Sequence, residues 1–199
     1  MIKKLKRNHD NHENLCTFSP IFRLTKSTNM STKTNVVSAE YFKRYINVVK
    51  EDDAMEALEN NLKSFLKFLK RIPRKKVNYA YGEGKWTIKQ VLQHVIDTER
   101  VFAYRALRFS KNEGVDLSGF DENVWGDNTP VDQRKWKDMI DEFKHLRKSN
   151  TAMFNSFTKE QWILSGSANN NMLNVTALGF MCAGHVQHHV VVLKERYLG

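Results

Sequence analysis

Proline is scarce in this chain: three in 199 residues, alongside nine glycines and two cysteines. So few chain-breakers argue against a fold of many short strands and favour long helices. Cys16 and Cys182 are too few and too distant to form a disulfide framework, which fits a reduced, cytoplasmic setting. No apolar run approaches the roughly 18 residues needed to span a bilayer. The N-terminus has charges but no apolar stretch with a small-residue cleavage site. The expectation is a protein neither membrane-bound nor secreted.

Positive charge is plentiful, with a formal net charge of +10. Residues 1–35 hold seven basic and two acidic residues, so half of the excess sits in that tail. The rest is spread over mixed-sign segments without the clustering of a nucleic-acid-binding stripe, so no nucleic-acid partner is expected. The same tail is polar and aperiodic. It is expected to be a disordered basic extension, with Met30 a plausible alternative N-terminus.

Residues 36–199 are expected to form one all-α domain, a four-helix bundle. A short helical pattern (Tyr41, Phe42, Tyr45, Ile46, Val49) precedes a longer one from Met55 to Ile72, which Pro73 stops. The second bundle helix opens on a capping box, Thr87 and Gln90, with Trp86 placed to staple against Val91. Its apolar stripe runs from Ile88 to Phe109. Gly114 to Pro130 is a long loop, a lid or a crossover. The third helix is expected over Val131 to Phe157. After the polar stretch Ser165 to Asn171, the fourth starts near Asn174 as an amphipathic helix, and no period-2 segment of useful length competes.

Three histidines stand out against this background. His185 and His189 lie four residues apart, on one face of a helix, in the middle of its inward stripe. His94 sits at the edge of the second bundle helix's stripe and can face the same interior. Imidazoles buried without partners are costly. The spacing leaves two readings open, a metal held by helix faces or a set of satisfied structural histidines. Three neutral nitrogen ligands would leave positions for water or substrate, and a metal there could lower the pKa of a bound water or thiol. Zinc and nickel are the expected ions, although imidazole suits several metals.

Other residues are candidates for supporting roles, each with a structural alternative. Asp97 could orient a ligand imidazole, as carboxylates do around zinc. Glu99 follows on the same helix, and either acid could equally be an ordinary helix charge. Arg105, three turns beyond His94, could meet an anionic group or an acid such as Asp121 or Glu122, or form a structural ion pair. His188 points about 100° away from His189, either supporting it or lying on the surface.

Taken together, G-K-W-T-I-K-Q-V-L-Q-H-V-I-D-T-E-R-V-F-A-Y-R-A-L-R-F, L-S-G-F-D-E-N and G-F-M-C-A-G-H-V-Q-H-H resemble the DinB/YfiT-like superfamily of metalloproteins over about residues 36–199. The resemblance implies a four-helix bundle and a divalent metal held by one histidine of the second helix and two of the last, at His94, His185 and His189. It implies homodimers, and thiol-dependent transferases or isomerases using bacillithiol, mycothiol or glutathione. The leading expectation is transfer of a low-molecular-weight thiol, as co-substrate, to an electrophilic small molecule. The alternatives are metal-dependent hydrolysis of a small amide or ester, and non-catalytic binding of a metal or small molecule.

Overall fold

The computed structural model describes residues 29–114 and 116–199. The disorder expected of the first 28 residues, together with Cys16, lies outside the described residues. Residues 29–35, grouped with that tail from the sequence, are instead seated on the folded body. Lys33 N–H donates to the Asp52 carbonyl (3.0 Å) and Ala54 N–H to the Ser31 carbonyl (2.9 Å). The Thr176 hydroxyl donates to the Met30 carbonyl (3.1 Å). Backbone hydrogen bonds hold this stretch, with Met30 packed against the core, so its largely polar composition gave little signal.

Seven α-helices follow: α1 (Glu40–Ile46), α2 (Ala54–Arg71), α3 (Ile88–Ser110), α4 (Glu122–Asp127), α5 (Trp136–Asn155), α6 (Lys159–Ile163) and α7 (Val175–Val192). The four long ones, α2, α3, α5 and α7, make the bundle. Its principal packing pairs are α2 with α7, α7 with α3, α3 with α5 and α5 with α2. Two helix pairs that follow one another among these four, α2 with α3 and α5 with α7, therefore face each other across diagonals. Helix ends match the side chains available. Asp53 accepts from Glu56 N–H at the start of α2, and Thr87 with Gln90 closes a capping box on α3. The Asn174 side chain accepts from Ala177 N–H at 2.8 Å to start α7.

Three expectations need correction. The third helix is shorter than its pattern: Val131–Gln133 is a separate 3-10 turn, Arg134 is extended, and α5 ends at Asn155. Phe157 lies beyond it and packs with Phe154 and Trp162 of α6. The polar stretch is a β-hairpin, β1 (Ser165–Ala168) antiparallel to β2 (Asn171–Asn174). Its two-residue turn puts Asn169 and Asn170 at φ 51° and 59°, the doubly left-handed turn that asparagine tolerates. Finally, α7 is not amphipathic over most of its length. Every residue from Val175 to Val186 is buried, because α1, α2, α3 and α6 surround it.

The long loop is built rather than slack. Leu117 exchanges backbone hydrogen bonds with β1 and its turn, donating to Ser167 and accepting from Asn169. α4 then packs on α3. Among the described residues, no helix is long and apolar enough to cross a membrane.

Candidate metal centre

The cluster forms where α3 and α7 pack together. His94 comes from α3, and His185 and His189 come from the end of the buried run of α7. His185 Nε2 lies 3.1 Å from His94 Nε2 and 3.1 Å from His189 Nε2. One ligand atom from each of the three lies within 4.8 Å of the others. His185 is buried, and the other two are partly so.

Two glycines allow the surrounding walls. A Cβ at Gly184 would lie 1.8 Å from the Tyr45 carbonyl oxygen, so α1 can cross α7 only over a bare Cα. That crossing lays the Tyr45 ring edge-on to His185, centroids 5.3 Å apart. On the other side Trp86 leans on His94, centroids 5.1 Å apart. A Cβ at Gly126 of α4 would come within 2.6 Å of that indole. Helix α4 thus closes over Trp86 because position 126 has no side chain.

Burial in these walls disfavours charge. It lowers the His94 pKa to about 4, with the neighbouring His188 adding to the effect. Burial likewise holds His185 and His189 well below the usual imidazole value, helped by the facing imidazoles. The neutral ring is the form that binds metal. The three nitrogens cannot all satisfy one another, since a neutral imidazole has one N–H and one lone pair. Among the described residues His189 Nδ1 has no hydrogen-bond partner. At zinc–nitrogen distances near 2.0–2.1 Å, tetrahedral ligands lie about 3.3 Å apart, close to the observed spacing. The donor set fits a divalent ion.

The cluster opens into a cavity of about 450 Å³ walled by Tyr41, Phe42, Tyr45, Phe102 and Phe120, with Arg105, Glu122 and the hairpin residues Asn169 and Asn171 supplying polar groups. The DinB superfamily model matches residues 57–193, which span both histidine segments.

The chain belongs to the DinB superfamily.

A solved structure similar to this DinB chain is that of YfiT from Bacillus subtilis, described as a probable metal-dependent hydrolase with an unusual four-helix bundle topology. The TM-score is 0.60 at 17% identity, covering 80% of this chain and 87% of that chain. No curated protein matches.

The supporting residues expected from the sequence are distributed differently in this DinB domain. Asp97 accepts from Gln93 Nε2 (2.9 Å) and Arg100 (3.2 Å) and, among the described residues, hydrogen-bonds to no imidazole. Burial raises its pKa. The group nearest His94 Nδ1 is the Thr98 hydroxyl, at 3.5 Å, which sequence reasoning missed although it lies four residues on, one turn along the same face. Glu99 is buried in an ion pair with Arg147 and, among the described residues, hydrogen-bonds to no histidine. Arg105 lines the cavity with His94 and His185. His188 is half-buried, its ring 5.2 Å from His189 and 5.6 Å from Tyr45. Neither acid suggested for Arg105 pairs with it: Asp121 caps α4, and Glu122 stands on the cavity wall. Tyr45 and Phe102 were read only as core residues, because nothing in periodicity distinguishes a cavity wall from a core.

Proposed function

We propose that this protein is a divalent-metal-dependent enzyme that joins a low-molecular-weight thiol to an electrophilic small molecule. The observation that carries the reading is the convergence of three neutral imidazoles, two of which, His94 and His185, line a cavity large enough for a small organic molecule. His94, His185 and His189 would hold the ion. Bound there, zinc or nickel supplies Lewis acidity, which ionises a coordinated thiol outright and polarises an electrophile.

The chain's own residues provide the rest. Tyr45 and Trp86 cover the imidazoles on two sides and limit water. The Thr98 hydroxyl faces His94 Nδ1 and would accept its N–H in the tautomer that leaves the Nε2 lone pair for the ion. Phe42 and Phe102 offer apolar surface for the body of a substrate.

We prefer thiol transfer to hydrolysis because of what lies next to the imidazoles. Among the described residues no carboxylate hydrogen-bonds to any of the three. Hydrolysis would gain from a side chain placed to take a proton from water, whereas ionising a thiol would need only the charge of the ion that the three histidines would hold. Glu122 on the cavity wall is the carboxylate that would serve a hydrolase. Together with the likeness to YfiT, it keeps hydrolysis of a small amide or ester as the second reading.

Cobalt substitution separates the two readings. Titration of the cobalt-loaded protein with glutathione or bacillithiol should raise a near-ultraviolet charge-transfer band. Loss of the cobalt spectrum in His185→Ala would tie that band to this site. A spectrum indifferent to every thiol, combined with metal-dependent ester cleavage that Glu122→Gln abolishes, would transfer the assignment to hydrolysis.

A further inference from the structure

The cavity carries a positive charge that the chemistry above does not use. Arg105 lies eleven residues beyond His94 on α3, about 16 Å of helix, yet it lines the same cavity as His94 and His185. It is only 4% exposed. Among the described residues its single hydrogen bond runs from a terminal nitrogen to the Ser118 carbonyl, at 3.0 Å. Among the described residues no carboxylate hydrogen-bonds or ion-pairs with it, and the charge of Asp116 acts on it without direct contact.

The other buried arginine shows what a satisfied guanidinium looks like here. Arg147 donates five hydrogen bonds, two of them to the Glu99 carboxylate. A guanidinium has five N–H donors in a planar fork that matches an oxyanion. Desolvating one without such a partner is unfavourable unless a ligand supplies it.

We propose that Arg105 receives a carboxylate or phosphate group of the substrate, which is therefore an extended organic anion. Its apolar middle packs against Phe42, Phe102 and Phe120, and its reacting end lies at the histidine cluster. This rests on the cavity being the substrate site of the proposed enzyme, and it adds the substrate class.

Binding of 4-phenylbutanoate, phenyl phosphate and the neutral 4-phenylbutan-1-ol to chelator-treated protein tests it, since without metal the anion cannot bind through the ion. At least one anion should bind about tenfold or more tightly than the alcohol, and which anion it is decides between carboxylate and phosphate. Arg105→Gln should erase that preference and Arg105→Lys should keep part of it. In wild-type protein labelled with ¹⁵N-arginine, the Arg105 Nε signal should move with the preferred anion and stay still with the alcohol, a readout independent of whether the variants fold. Equal binding of anions and alcohol, or a stationary Arg105 signal, overturns the proposal even if metal-dependent activity is present. Anion binding through Arg105 in a protein that shows no metal-dependent turnover would sustain it while defeating the catalytic reading.

Discussion

Two buried polar clusters lie close together on the same pair of helices and are finished in opposite ways. One is the histidine triad. The other begins five residues after His94 with Glu99 and three residues before His185 with the Cys182 carbonyl. There Arg147 of α5 is entirely enclosed. It bonds Glu99 of α3 at 2.6 and 2.7 Å, Asn61 and the Leu58 carbonyl of α2 at 2.9 and 3.3 Å, and the Cys182 carbonyl of α7 at 2.9 Å. One side chain therefore ties all four bundle helices together, with every donor used. The triad has nitrogens that face mainly each other. A buried polar group that closes on its own neighbours belongs to the scaffold, and one left open requires something from outside.

The largest effect that could break this contrast comes from Arg147→Met. Removing one partner strands the Glu99 carboxylate in the core, and chemical denaturation should show a loss of about 3–5 kcal/mol. A loss below about 1 kcal/mol would mean that the closed cluster is not structural. Acid tests the open cluster next. With His94 held near pKa 4 against an ordinary 6.5, the unfolded chain binds more protons than the folded one between those values. Stability is full above about pH 6.5 and falls toward pH 4, by about 3 kcal/mol from His94 alone. His94→Gln should flatten that slope in the metal-free protein, and an unchanged slope would place the titration elsewhere.

Metal addition should then separate the clusters directly. Zinc at about a hundred times its dissociation constant should stabilise the folded protein by about 2.7 kcal/mol, seen as a raised melting temperature and abolished in His185→Ala. The smallest change is Asp97→Asn, which keeps an oxygen to accept from the buried Gln93 amide and loses only the ion pair with the exposed Arg100. It should cost under about 1 kcal/mol and leave zinc affinity untouched. A large fall in affinity would return Asp97 to the orienting role that its spacing suggested.

These outcomes bear on which parts of the molecule could be read from sequence. The bundle helices were legible because Leu58, Phe65 and Leu69, or Ile88, Val91 and Val95, recur at helical spacing and because Thr87 and Gln90 announce a start. The triad was legible because imidazoles are conspicuous against an apolar stripe. The hairpin was not, since four-residue strands are too short for an alternating pattern to register. The paired left-handed asparagines were its one available signal. Glu99 and Arg147 were equally hidden: they are 48 residues apart, and each alone looks like an ordinary helix charge. Pairing across the bundle is a property of packing order, and here two of the three successive pairs of long helices sit on diagonals that local periodicity does not encode.

Gly184 carries a consequence for how this pocket can vary. The separation of α1 from α7, and with it the depth at which a substrate meets the imidazoles, is set by a side chain that is not there. Adding one methyl at 184 would push Tyr45 outward by a bond length or more, widening the chamber without touching a histidine. The chamber's width can thus be changed independently of the atoms at its base, so substrate size can drift while the chemistry stays fixed.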